Sequence, residues 1–467
     1  MKKTIIIMLA AISFSSCHIY KKYERPDTIS AEGVYREVTT ASDDSTSMAN
    51  LSWREIFTDP QLQALIDTAL QNNVDMQKAK MNIDIATAAL KMNRRAFAPS
   101  VTLNPSGTLG RVSAGDKANE KLGGILPITA NNYNVPLVVS WEADIFGKVL
   151  NAKRASKVQL LQSEEYAQAV KCNLIAAVAN YYYSLLVADK QLQITEETVA
   201  NWENQIETMK SMKLAGMLNE AAIAQSEAQC TAAKINALDL KKNIQDAENA
   251  LCILLNTNPK AIERSTIDEQ QMPEITGIGV PATLLANRPD VRMAEYTLAN
   301  AYYNTNSARA AFYPGITITG TGAWLNNATG AIINPGQLML SAAGSMLMPL
   351  FAKGQLTANL KISKIKEEQA CLDFQKSILN AGKEVSDAFY AYNYNKSVVE
   401  LRSEYVEQLQ RAEEATTSLL QLGSSTYLEV LTAQQSLLRA QQAVENDKLA
   451  QLQAVINLYK ALGGGRN

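Results

Sequence analysis

Five cysteines and one histidine are the side chains of this 467-residue chain best suited to covalent or metal chemistry. Their spacing permits little of it. His18 is the only histidine, which argues against histidine-based hydrolase triads, histidine-bridged zinc sites and most acid–base machinery. No metal site, cofactor or enzymatic activity is expected. Cys172, Cys230, Cys252 and Cys371 form no CxxC pair or other close cluster. Cys230 and Cys252 fall 22 residues apart on one expected helix, about 33 Å and too far to bridge. All four are expected to be small buried residues. Cys17 differs. It closes MKKTIIIMLAAISFSSC, in which Lys2 and Lys3 precede an apolar run from Ile5 to Ile12, and Ser15 and Ser16 precede the thiol. That is the layout of a secretory signal. Small residues before a single cysteine suggest a bacterial lipoprotein signal, with residues 1–16 removed and Cys17 acylated, although Phe14 stands where leucine is usual. An ordinary signal peptide with a cysteine nearby is the alternative. Two acyl chains would anchor the protein stably, at about 0.8 kcal/mol per buried CH2.

The elements that must position anything else are long helices. Formal net charge is −2 and aromatic residues make up 6%, so no basic excess draws in nucleic acid. Long stretches rich in Ala, Leu, Gln, Glu and Lys point to helix. No other segment approaches 18 continuous apolar residues, so no second transmembrane helix is expected. Leu62, Leu65, Ala69, Met76, Ala79, Ile83, Ala86 and Leu90 recur in steps of three, four and seven. Leu449, Leu452, Ile456 and Tyr459 do the same. Such seams suit long helices packed side by side.

The chain is written twice. At a shift of 215, Asp75, Ala79, Ala86, Arg94, Ala96, Phe97, Pro99, Thr102 and Gly107 meet identical residues, which points to a duplication. WEADIFGK (Trp141–Lys148) and MPLFAKG (Met348–Gly354) form a second pair of landmarks. From Phe146 to Gly216 is 70 residues and from Phe351 to Gly423 is 72. Arms of that length span about 100 Å, and the 40-residue arms that follow about 60 Å. Each half reads as short helix, strand, loop, strand, very long helix, tight turn and medium helix. The expected divisions are an N-terminal extension (17–61), a first repeat (62–256), a Pro- and Gly-bearing linker (257–283), a second repeat (284–463) and a tail (464–467).

Four stretches alternate with strand spacing, near 100–110, 134–142, 315–325 and 337–349. In each, one face is apolar and the other small and polar. Their length suits tilted membrane strands, and equally two hairpins of a soluble sheet. The signal segment, the expected anchor and the long helices favour the membrane. Four strands cannot close a barrel, and an open edge cannot face lipid, so copies must share one. Pro99 and Pro314 then mark where the wall changes from helix to strand, because proline ends a helix and pushes its predecessor toward extended geometry.

With YERP (Tyr23–Pro26), WREIFTDPQLQALIDTAL (Trp53–Leu70), SWEADIFGK (Ser140–Lys148), LLANRPDVRMAE (Leu284–Glu295), ARAAFYPGITITG (Ala308–Gly320) and LGSSTYLEVLTAQQSL (Leu422–Leu437) in order, the chain resembles the outer-membrane efflux protein family. It is most similar to the lipoprotein branch serving resistance–nodulation–division pumps. The resemblance implies a mainly α protein with membrane β structure: a homotrimer whose helical tunnel crosses the periplasm and continues into a shared twelve-stranded barrel in the Gram-negative outer membrane. It implies a passive exit duct for small molecules, partnered by a periplasmic adaptor and an inner-membrane pump. The turns at Gly216 and Gly423, near 214–221 and 422–428, would be the periplasmic tips where adaptors engage.

In similar channels, acidic residues after the second tip form a selectivity ring. Glu429 occupies the first such position and Thr432 the second, which is often acidic in relatives. Three Glu429 carboxylates would attract cations; a solvated helix residue would read the same. Relatives latch the tip with Tyr and Arg where this chain has Leu420 and Ser425, so that latch is expected to be absent. The clusters Tyr181–Tyr183 and Phe389–Tyr394 are expected to be packing, and Met339, Met346 and Met348 filler or lipid-facing. The runner-up is the outer-membrane channel of a one-step protein secretion system. A periplasmic adaptor lipoprotein is a further alternative, against which two matched hairpins argue.

Overall fold

The structure, a computed structural model, describes residues 21–26, 51–111, 129–216, 218–271, 287–326, 337–464 and 466. The signal segment, Cys17 and part of the expected linker lie outside them. The elements are helices α1 (Trp53–Ile56), α2 (Pro60–Asn72) and α3 (Val74–Arg95), strands β1 (Ser100–Leu103), β2 (Ser106–Arg111) and β3 (Thr129–Ala143), and helices α4 (Lys148–Leu214) and α5 (Glu220–Leu254). Then come α6 (Pro289–Ala310), β4 (Gly315–Asn326), β5 (Gln337–Leu347), α7 (Gln355–Gln421) and α8 (Tyr427–Ala461). Both α3 and α6 have 22 residues, both α4 and α7 have 67, and both α5 and α8 have 35. Bounds 74–95 and 289–310 differ by 215 at each end, the shift at which the sequence repeats. Among the described residues, no helix is long and apolar enough to cross a membrane.

The chain divides into two compact units. The first takes in residues 84–162 and 295–373 and the segment through Pro26. Its centre is one antiparallel sheet in the order β1-β3-β4-β5, with β2 also pairing β3. The alternation over 100–110 predicts a single strand; the structure has two. Leu103 pairs Leu137 and Ser106 pairs Asn134, so the register is unbroken and only the ladder is interrupted. The cause is two prolines. Pro105 has no N–H to give, and Pro136 accepts from the Asn104 N–H at 3.2 Å but has none to return.

In the same unit, the YERP segment is tied to α6. The Tyr23 N–H donates to the Tyr303 hydroxyl at 3.2 Å. Arg25 bonds both carboxylate oxygens of Glu295, at 2.9 and 2.7 Å.

The second unit takes in residues 27–83, 163–294 and 374–467. Its core includes Phe57, Leu62, Ile66, Ile175, Tyr182, Leu185, Leu251, Phe374, Ile456 and Tyr459, all fully buried. The periodic run from Leu62 to Leu90 predicts one helix, but the chain breaks it at Asn73. The Asn73 carbonyl oxygen accepts from the Asp75 and Met76 N–H groups at 2.9 and 3.1 Å, and its amide donates to the Leu254 carbonyl at 3.0 Å. A side chain that caps the next helix competes with continuing the first.

A polar hub sits in this core. The Tyr182 hydroxyl donates to Asp59 at 2.6 Å, Gln270 donates at 2.9 Å, and Ser265 also donates to the same carboxylate. Burial pushes the Asp59 carboxyl up, but these hydrogen bonds outweigh it and hold the group below the usual range. Cys172, Cys230 and Cys252 are buried as expected. Cys371 is a correction: it is half-exposed on α7.

Candidate functional site

Three features of the repeats bear on function: the helix-to-strand junctions, the faces of the sheet, and the hairpin tips. Pro99 and Pro314 each stand directly before a strand. The last turn of α3 closes with the Ala98 N–H on the Arg95 carbonyl at 2.8 Å, and that of α6 with the Tyr313 N–H on the Ala310 carbonyl at 3.1 Å. Return to helix is also built locally. Asp144 accepts from the Val149 and Leu150 N–H groups at 3.0 and 2.7 Å, capping α4. The Phe146 ring stacks on Tyr313 with centroids 4.8 Å apart, so the exit from one hairpin packs on the start of the other.

The register assembles two unlike faces. Val101 and Leu103, then Val135, Leu137, Val139 and Trp141, then Ile316, Ile318 and Trp324, then Leu338, Leu340 and Met346 share one face. Gly320 and Gly322 lie among them. This face is open: Leu137 is 47% exposed and Leu340 78%. The other face carries Ser140, Thr317, Thr319, Thr321, Ser341 and Ser345, with Val138 and Met339 among them. Met339 and Met346 thus lie on opposite faces, and Met348 lies beyond the strand, so the three methionines make no common site.

At the tips, Gly216 and Gly423 both take positive φ, 74° and 72°. The Gly423 N–H donates to Leu420 at 3.0 Å and the Ser424 N–H to Leu419 at 2.9 Å, which closes the end of α7. A side chain at Gly423 would meet no atom within 4 Å, so the requirement is conformational. Gly423→Ala is expected to cost about 1–2 kcal/mol locally. Amide exchange over 419–427 should quicken about tenfold, and Ser424→Ala should leave it unchanged.

The structure places Glu429 and Thr432 one turn apart on α8, along a groove shared with Leu409 and Ala412 of α7. Neither is idle. The Glu429 carboxylate folds back onto its own helix start, accepting from the Thr426 N–H at 3.0 Å and from the Ser425 hydroxyl. These bonds hold its carboxyl below the usual range. The Thr432 hydroxyl donates to the Leu428 carbonyl at 2.7 Å. Thr426-x-x-Glu429 is a capping box, and the signal for it was in the sequence.

Sequence reading missed what joins the two tips. Tyr427 and Leu431 of α8 bury against Met209 of α4 and Ile223 of α5, with Leu420 packed beside them. Leu420 and Ser425 are therefore engaged, one in this apolar cluster and one in the cap. The aromatic clusters divide. Tyr182, Tyr183 and Tyr392 are buried, whereas Tyr390 and Tyr394 are 67% and 58% exposed and stacked 6.5 Å apart. For that exposed pair, packing inside the chain is corrected.

Comparison with known proteins agrees with this geometry. Residues 65–257 and 280–464 match the outer membrane efflux protein family. The chain is 29% identical to the toluene efflux pump outer membrane protein TtgC of Pseudomonas putida over 99% of this chain and 96% of that one. It is 28% identical to the cation efflux system protein CusC of Escherichia coli, covering 97% of each. The open-state structure of the Neisseria gonorrhoeae MtrE outer membrane channel superposes with a TM-score of 0.84 at 27% identity, over 96% of this chain and 98% of that one. The two matched halves, the sheet and the hairpins are those of a known architecture: the chain belongs to the outer membrane efflux protein family.

Proposed function

We propose that three copies of this chain form an outer-membrane channel, the passive exit duct of a tripartite efflux system. The sheet carries this reading. One face is apolar and open, and two edges, that of β1 and β2 and that of β5, pair with no other strand among the described residues. In hydrocarbon, each unpaired N–H or C=O costs several kcal/mol, so the edges must meet those of other copies. Two copies would fill their barrel with side chains; three give twelve strands and room for water. Exposed apolar side chains on the helices support the same assembly: Ile85 and Met92 on α3, and Tyr390, Tyr394 and Leu401 on α7.

In this reading the chain catalyses nothing and needs no cofactor. A periplasmic adaptor engages the helices near the Gly216 and Gly423 tips, and an inner-membrane resistance–nodulation–division pump supplies the energy and selects the cargo. Relatives are named for toluene and for cations, and a duct downstream of the pump need not encode that choice. Acylated Cys17 anchors the mature N-terminus in lipid. The test is the native mass of the protein extracted in mild detergent. A trimer is expected; a monomer would turn the sheet into a soluble one and overturn the proposal.

The Glu429 ring has its own test. Glutamine also completes a capping box, so Glu429→Gln removes the charge and keeps the helix start. Cation-over-anion selectivity of single channels is expected to fall about threefold or more, with the melting temperature within a few degrees of wild type. Unaltered selectivity would leave Glu429 as a cap alone.

A further inference from the structure

We infer that the second unit carries a binding pocket for small cationic amphiphiles, an amine joined to an aromatic or aliphatic body. A half-open cavity of about 540 Å³ lies above the tip cluster, between α4, α7 and α8. That is the size of a small-ligand site. Trp202, Met209, Tyr427 and Leu438 supply apolar and aromatic wall. Among the described residues, Glu197 and Glu413 are the only charged ones that line it. The wall therefore offers negative charge and π faces without a lysine or arginine to answer them, which favours a cation.

The Glu413 carboxylate is held in place by its neighbours. The Gln434 amide group donates to Gln205 at 3.2 Å and to Glu413 at 3.0 Å. The Glu413 carboxylate, which can only accept, settles which way that amide faces. A protonated amine beside the Glu413 carboxylate, which also accepts from the Thr417 hydroxyl at 3.1 Å, would lay its apolar body against Trp202 and Met209. This ligand differs from transported cargo in place: it sits among the helices of one chain, whether or not a channel is formed.

The test uses the full-length protein in detergent and dansylcadaverine, a fluorescent primary amine, with its N-acetylated neutral counterpart as control. Saturable binding is expected for the amine, at least tenfold weaker for the neutral probe. Glu413→Gln keeps the acceptor for Gln434 and removes the charge; Thr198→Trp fills the cavity from its wall. Each should weaken binding tenfold or more while the melting temperature stays within a few degrees. Energy transfer from tryptophan to the bound probe should be lost in Trp202→Phe, which places the probe. Equal binding of the two probes, wild-type affinity in both variants, transfer that survives Trp202→Phe, or retention no greater than by empty micelles would each overturn the proposal.

Discussion

Leu340→Arg is expected to remove most of the assembled protein from the outer membrane, while Ser341→Arg leaves it there in near wild-type amount. The two residues are neighbours on β5 and occupy opposite faces of the sheet. Leu340 pairs Gly322 and lies with Leu137 and Trp324 on the open apolar face. Ser341 pairs Thr321, on the face with Thr319 and Ser345. If the apolar face meets lipid, an arginine near mid-strand costs about 2–4 kcal/mol per chain, hence roughly 6–12 kcal/mol for three copies if the costs add. In the proposed barrel, arginine on the small, polar face would reach water inside. The measurement is the amount of trimer in purified outer membranes on unheated gels. Loss with Ser341→Arg and retention with Leu340→Arg would reverse the assigned faces. Retention of both would take the sheet out of lipid altogether.

Arg288→Met is expected to lower the stability of the second unit by about 2–3 kcal/mol. The Arg288 side chain is 6% exposed. Its guanidinium bonds Asp290 at 2.9 and 2.6 Å, Glu384 at 2.5 Å and the Ala461 carbonyl at 2.9 Å. Burial disfavours the charged guanidinium, but Asp290 and Glu384 outweigh it and hold its pKa above the usual value. Methionine fills much of the space and strands these acceptors, of which the Ala461 carbonyl sits at the end of α8. The two carboxylates are 47% and 54% exposed, so water recovers part of their loss and the cost falls below that of a fully buried pair. Damage should centre on the C-terminal junction. There, a Cβ at Gly463 would come within 2.7 Å of the Asn287 backbone, so α8 ends pressed against the same segment. The expected readout is a lower melting temperature with early proteolysis after α8. Arg288→Lys should recover little, because one ammonium cannot reproduce the planar fork. An unchanged melting temperature would show that the contacts are dispensable.

What the sequence by itself determined is whatever repeats at short range. Helix periods, strand alternation and the proline before the first strand of each half are properties of neighbours along the chain, and each half displays them separately; the shift of 215 comes from comparing the halves. The family resemblance rests on ordered motifs of the same local kind. The capping box at Thr426 and Glu429 was equally local and could have been read, since the donor and acceptor types stand three apart. Tertiary structure alone decided what depends on groups brought from afar. Pro136 interrupts the ladder opposite Asn104, and no pattern within either strand announces that pairing. Asn73 caps α3 through its own neighbours, but the tie of its amide to the Leu254 carbonyl, 181 residues away, is tertiary. Tyr427 is buried because Met209 and Ile223 of the other hairpin meet it. Tyr390 and Tyr394 share the aromatic composition of Tyr182 and Tyr183 but stay largely exposed among the described residues. Burial and hydrogen bonding are decided by which surfaces meet, and a one-dimensional period specifies a face without naming what lies against it.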